Sequence, residues 1–199
     1  MRRMHDYFAG LGGASEAFIL SDEWKVERFD NNQDLDFVEN MKIVDIVEIA
    51  RNVEQLAIEP STLDFAWFSP PCLHFSRGYN SPPQIAKREG IDFMPDLEPL
   101  NACLQIIEYL EPSMWAIENV SGANDIFSEI IGHRPQIITP YYIWGNIPHI
   151  VLPEGYKPPS KVKMSGNSYL ASNKRAKLPL EVSRSILEAV EQPTLGAFI

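Results

Sequence analysis

Residues 6–15, DYFAGLGGAS, decide how the chain is read. Residues 2–8 read as a short strand that ends there. Gly10, Gly12 and Gly13 follow, and then a segment with helical spacing, ASEAFILSDE (14–23), in which Ala14, Ala17, Phe18 and Leu20 share a face. A strand, a glycine turn and a helix are therefore expected in succession. Glycine lets a backbone turn sharply and approach a ligand closely. The helix behind it offers free N–H groups, and open α/β sheets bind ligands at the carboxyl ends of their strands. The spacing is not GxGxxG and no GK[ST] follows, which disfavours a P-loop.

Working outward, the alternation continues. KVERFD (25–30) reads as a second strand, a third is expected within MKIVDIVEI (41–49), and VEQLAI (53–58) reads as a short helix. LDFAWFSPP (63–71) is a buried strand stopped by two prolines, which cannot donate to a ladder. Residues 77–96 read as a long polar loop, of the length that is usually functional or mobile. LEPLNACLQIIEYLEP (97–112) is an amphipathic helix and SMWAIENV (113–120) another buried strand. Residues 132–160, rich in proline and aromatics, read as irregular, and PLEVSRSILEAVEQ (179–192) as a final helix with proline in its first turn. This order predicts an α/β fold with a mostly parallel sheet flanked by helices. One domain over residues 1–199 is expected.

Composition narrows the function. With 45% hydrophobic and 22% charged residues the chain reads as globular. No apolar run approaches the roughly 20 residues of a membrane span, and no signal peptide is visible, so a cytoplasmic location is expected. Cys72 and Cys103 are too few for a disulfide framework, and the four histidines are scattered, so no metal site is expected. A net charge of −10 argues against tight autonomous binding to nucleic acid. Residues 157–177 nevertheless hold a local basic strip of Lys157, Lys161, Lys163, Lys174, Arg175 and Lys177.

Several residues are candidates for chemistry. Asp30 ends the second strand about twenty residues after the glycines, where an acid accepts from ribose hydroxyls. Asp45 stands near the end of the third strand. Cys72 follows a strand end in a proline-fixed turn, the rigid placement a covalent catalyst needs. Cys103 falls on the apolar face of a helix and reads as core. Glu118 ends a buried apolar strand, where a carboxylate is expensive without a partner or a task. Buried strand-end acids also serve structure, and both readings stand at this point.

In combination these segments resemble the C5-cytosine DNA methyltransferase family. DYFAGLGGAS (6–15) resembles its cofactor loop DLFAGxGG, SPPCLHFS (69–76) its catalytic GGPPCQxFS motif, and IENV (117–120) its ENV motif. The three occur in the family's order. RAKLPLEVSRSILEAV (175–190) and YYIWGNIP (141–148) resemble segments of short, phage-type members. The resemblance implies a Rossmann-like S-adenosylmethionine-dependent methyltransferase fold, with S-adenosylmethionine as cofactor and DNA as partner. It implies Cys72 as nucleophile on cytosine C6, Glu118 as the carboxyl group engaging the base, and Pro71 as the residue fixing the loop. For the cofactor it implies Phe8, Ala9, Gly10, Leu11, Gly12, Gly13, Asp30, Asn31, Asp45, Ile46, Pro70 and Asn167. For the substrate it implies Ser76, Asn119 and Arg134. The base would be flipped out of the duplex, with 77–96 closing over it. The helix at 178–192 would return beside the first strand.

The chain also departs from the family. Leu73 replaces the usual glutamine after the cysteine, and no QxRxR strand is present, Arg134 being the nearest basic residue after ENV. Residues 132–177 stand in place of a target-recognition domain, so specificity would be low, very short or supplied by a protein partner. The GNS-like SGNS (165–168) is followed by an insertion around YLASNKRA (169–176). RNA or another pyrimidine remains an alternative substrate, and a cofactor-binding regulator an alternative function. A role in protecting phage DNA from restriction would be an analogy only.

Overall fold

The computed structural model describes residues 1–56, 58–158 and 169–192. Along the chain run β1 (Arg2–Tyr7), α1 (Glu16–Ile19), β2 (Trp24–Asp30), β3 (Met41–Ile43), α2 (Ile46–Arg51), β4 (Phe65–Phe68), α3 (Pro82–Glu89) and α4 (Glu98–Leu110). They are followed by β5 (Met114–Asn119), α5 (Asn124–Ile131), β6 (Gln136–Ile138), β7 (Tyr141–Gly145), α6 (Ala171–Ala176) and α7 (Leu180–Glu191). The strands form one sheet in the order β3-β2-β1-β4-β5-β7-β6. All pairs from β3 to β5 are parallel, and β7 runs antiparallel between β5 and β6.

The fold is the expected α/β architecture, and both sheet faces are covered. On one face Tyr7, Phe29, Phe68 and Ile117 pack with Ile46, Ile106 and Phe127 of the helices. On the other, Met4, Val26, Phe65 and Trp67 pack with Phe18, Val182 and Ile186. This explains why Phe65–Phe68 is buried throughout rather than alternating. Tyr7 is stacked between Phe29 and Phe68, with ring centroids 4.8 Å apart on each side. Stacked pairs of this kind add about 0.5–1.5 kcal/mol to the burial of their area. They clamp the ends of the neighbouring strands β2, β1 and β4 together.

The C-terminal helix is tied to the first turn of the chain. Ser183 Oγ donates to the Ala14 carbonyl at 2.6 Å and accepts from the Ala17 N–H at 2.9 Å. Glu191 pairs with Arg2 of β1 and accepts from the Trp24 indole. Thus α7 lies against α1 and reaches the start of β1.

Four local expectations need correction. The helix expected over 14–23 is regular only at Glu16–Ile19, because the glycine turn continues through Ser15. The third strand expected within 41–49 is present as Met41–Ile43, but Asp45 stands past its end and caps α2 by accepting from the N–H groups of Val47 and Glu48. The polar stretch 77–96 contains α3, entered by Ser81-Pro82-Pro83 and closed by Gly90 in the left-handed region. The segment expected to be irregular, 132–160, holds β6 and β7, and α6 follows within the stretch 132–177 that stands in place of a target-recognition domain. The β6–β7 pair is fixed by long-range pairing to β5, which a local pattern does not reveal.

Candidate active site

The order of strands reverses between β1 and β4. From β1 the chain proceeds outward through β2 and β3, and from β4 outward the other way. A crevice at the carboxyl ends of such a pair is where open α/β sheets bind ligands. Two loops leave the sheet there at one level. Tyr7 is in register with Phe68, and the Ser69 N–H donates to the Tyr7 carbonyl at 3.0 Å. The glycine loop and the proline-cysteine loop are therefore neighbours.

In the glycine loop, the Ala9 N–H donates to the Phe29 carbonyl at 3.1 Å and the Gly10 N–H to Asp30 Oδ2 at 2.9 Å. Asp30 Oδ1 accepts from the Asn32 N–H at 3.0 Å. Each oxygen keeps a lone pair and Asp30 remains half-exposed, so it can accept from hydroxyl groups as well. Phe8, Ala9, Gly10 and Leu11 are half-buried along the same rim, and Asn31 is exposed beside it. Phe8 and Gly10 both have positive φ, 55° and 54°. Gly12 also has positive φ, 68°, and both Gly12 and Gly13 lack room for a side chain. A Cβ on Gly12 would lie 2.5 Å from the Arg28 guanidinium, and one on Gly13 2.5 Å from the Leu178 backbone nitrogen. Both are buried and turned against protein.

Further along the rim, Asp45 is exposed while Ile46 is buried. Only Oδ1 of Asp45 serves the α2 cap, so among the described residues its other oxygen is left to solvent. Asn167 lies outside the described residues. A feature the sequence reading missed is α6, which comes over the loop: a Cβ at Gly10 would be 3.6 Å from Asn173 Nδ2.

The proline-cysteine loop is held from the next strand. Pro70 is buried, and its carbonyl accepts from Asn119 Nδ2 at 2.9 Å. Asn119 Oδ1 accepts from the Val120 N–H, so its side chain is committed to protein partners. Asn119 is thus a structural clasp, and the structure does not turn it toward a substrate. Pro71 is exposed, and Cys72 follows as the cap of a 3-10 turn over Leu73–Phe75. Phe75 is buried edge-on against Phe127, with centroids 5.0 Å apart, and anchors that turn. The turn Ser121–Ala123 packs onto it so closely that a Cβ on Gly122 would lie 1.9 Å from the Phe75 carbonyl oxygen. Gly122 was also missed, although a glycine just after ENV is its visible trace.

Cys72 is half-buried, and its thiol is pushed up by burial and then by the charge of Glu118. Glu118 is pushed up to about 7 by burial. No hydrogen-bond partner holds it among the described residues. A charged Glu118 thus opposes ionisation of the Cys72 thiol, whereas the rise at Glu118 comes from burial alone. Cys103 is fully buried on α4, its thiol pushed well up, as expected of core.

Other candidates lie at the margin. Ser76 Oγ accepts from the Gly78 N–H, and Ser81 Oγ lies 2.7 Å from the carbonyls of Ser76 and Gly78. His74 Nδ1 accepts from the Asp96 N–H at 2.9 Å, which ties the turn to the loop after α3. Arg134 is exposed, two residues before Gln136, which is level with Ile143 and so with Glu118. It therefore sits below Glu118 on the far side of β7, and the structure does not bring it to the crevice. Among the described residues no group of three His, Cys, Asp or Glu side chains could hold a metal, and no helix is long and apolar enough to cross a membrane.

No family model matches the chain, and no curated protein matches it. Among solved structures it is similar to an E. coli prophage protein assigned as a DNA modification methyltransferase, at 17% identity and a TM-score of 0.43. That match covers 66% of this chain and 36% of the other. A SAM dependent methyltransferase from Archaeoglobus fulgidus is similar at 22% identity and a TM-score of 0.35, over 65% of this chain and 49% of the other. The chain spans less than half the length of either protein. Similarity at this level fixes no activity.

Proposed function

We propose that the chain is an S-adenosylmethionine-dependent methyltransferase acting on C5 of cytosine in DNA, through a covalent Cys72 adduct. The observation that carries the reading is the convergence of the glycine loop, Cys72 and Glu118 on one crevice at the reversal between β1 and β4. The motif resemblance supplies the identity of the ligand and base.

The residues present suit the cofactor. The rim from Phe8 to Leu11 offers close backbone approach, Asp30 retains lone pairs for ribose hydroxyls, and Asp45 has one uncommitted oxygen for an amino group. When bound, S-adenosylmethionine supplies an electrophilic methyl group.

The protein's part follows from its two opposed groups. Cytosine C5 is a poor nucleophile until C6 is attacked. Cys72 as thiolate adds to C6, and the electrons move toward N3. Glu118, raised to about 7, is available as the protonated acid that donates to N3. While protonated, Glu118 adds no negative charge beside the thiolate; it becomes a carboxylate only as Cys72 gives up its charge to the C6 adduct. After methylation a solvent base takes the C5 proton, the C5–H electrons form the C5–C6 double bond, Cys72 leaves C6 as thiolate, and N3 returns its proton to Glu118. The base must leave the stack for Cys72 to reach C6.

Transfer of tritiated methyl groups to DNA, RNA and free cytidine nucleotides tests the reading. Transfer to DNA that disappears in Cys72→Ala is expected. Transfer only to RNA or nucleotides would move the substrate class. Cofactor binding without transfer to any of them would favour a regulator needing a partner, which the charge of −10 also suits.

A further inference from the structure

Arg28 is buried in β2, 5% exposed, and plays no part in the chemistry above. Its Nε donates to Ser15 Oγ at 2.8 Å, Nη2 to the Gly12 carbonyl at 3.1 Å, and Nη1 to the Glu39 carbonyl at 3.0 Å. Ser15 Oγ in turn donates to Asp6 Oδ2 at 2.6 Å. One guanidinium thus joins β1, the glycine loop and the segment before β3. Asp6 Oδ1 is buried and has no hydrogen-bond partner among the described residues. A buried cation is costly unless paired and hydrogen-bonded, and a planar fork is the shape that reaches three acceptors at once.

We propose that Arg28 is a positioning residue for cofactor binding: with Ser15 and Asp6 it holds the Gly12 carbonyl so that residues 9–13 keep the form that receives S-adenosylmethionine. This rests on the reading of the glycine loop as the cofactor site. Arg28 does not touch the cofactor rim itself; it acts through the carbonyl of Gly12, whose backbone lies against the guanidinium.

The network makes cofactor affinity depend on pH. Asp6 is faced by Ser15 from the loop, Arg28 from β2 and, with opposing charge effect, Asp30; Arg28 is faced by Asp6, Glu39 and Glu16. Burial pushes Asp6 up to about 6, against the Ser15 hydrogen bond and the Arg28 charge. Below that pH Asp6 becomes neutral, Arg28 loses its counter-charge, and the loop is held less firmly.

Calorimetric titration of the full chain with S-adenosylhomocysteine tests this, using Arg28→Lys, Arg28→Met, Ser15→Ala and Asp6→Asn, with thermal unfolding as the check on folding. Arg28→Met is expected to weaken binding by about tenfold to hundredfold, the scale of lost hydrogen bonds to a charged group. Arg28→Lys should fall between it and the unsubstituted chain. The KM for the cofactor should rise while kcat at saturating cofactor changes little. Affinity of the unsubstituted chain should fall between pH 7 and pH 5, and Asp6→Asn should lack that step. Folded Arg28→Lys and Ser15→Ala chains that bind with unchanged affinity would overturn the proposal, as would an unaltered pH step in Asp6→Asn. Should the unsubstituted chain fail to bind at any pH, the cofactor reading itself would fall.

Discussion

Asn119 donates from Nδ2 to the Pro70 carbonyl at 2.9 Å, and this bond ties the end of β5 to the loop that carries Cys72. Glu118 is the residue before Asn119, and Cys72 the second after Pro70. The clasp therefore sets the spacing of the two reactive groups.

Removing the clasp should loosen both. Asn119→Ala leaves the buried Pro70 carbonyl unsatisfied, a loss of about 1–3 kcal/mol. Urea unfolding should show that loss, and single-turnover methyl transfer should slow more than cofactor binding weakens. Equal loss in both would indicate general unfolding instead.

Gly122 tests the same loop from outside. A Cβ there would meet the Phe75 carbonyl oxygen at 1.9 Å, and backbone cannot move aside as a side chain would. Gly122→Ala should destabilise the fold by roughly 1–3 kcal/mol, the usual range of overpacking. An unchanged Tm would show that the turn at Ser121–Ala123 is free to shift.

Glu118 carries a stability signature with a definite sign. Its pKa is about 7 in the folded chain and ordinary, near 4.5, when unfolded. Between these values the folded state binds more protons, so stability falls as pH rises from about 4.5 to 7. Below that window the penalty is absent, and above it the penalty is fully present. Glu118→Gln should therefore stabilise at pH 8 by about 1–3 kcal/mol and change little at pH 4. Methyl transfer by the same variant should fall, since an amide donates to N3 but cannot supply a proton. Denaturation at the two pH values separates the effects.

Ser183 tests the docking of the last helix. Ser183→Ala removes the bonds to the Ala14 carbonyl and the Ala17 N–H in a buried contact. A cost of about 1–3 kcal/mol is expected, together with weaker cofactor binding, because α7 supports the helix behind the glycine loop.

Much of the site was legible because its parts are strand ends. Apolar runs that stop at glycine, proline or an acid mark where a parallel strand leaves the core, and DYFAGLGG, FSPPC and IENV each carry that mark. The glycines were legible as a turn, yet the reasons for Gly12 and Gly13 were not, since Arg28 and Leu178 meet them from distant segments. Arg28 itself left one trace, a cation at the strand position in step with apolar Val26. Elements α3, α5, α6 and the β6–β7 pair escaped because proline, polar or short segments gave no sustained period. Arg134 was misplaced because register, which sequence alone does not fix, puts it below the level of Glu118.

The central claim is that Cys72 bonds covalently to cytosine C6. DNA containing 5-fluorocytosine, incubated with the chain and S-adenosylmethionine, tests it most directly, because fluorine cannot leave C5 as a proton does and the adduct is trapped. The account predicts a denaturation-resistant protein–DNA species whose mass includes the transferred methyl group, with the crosslink mapped to Cys72 and absent in Cys72→Ala. Methyl transfer to ordinary DNA without any such species, or a crosslink that survives Cys72→Ala, would contradict it.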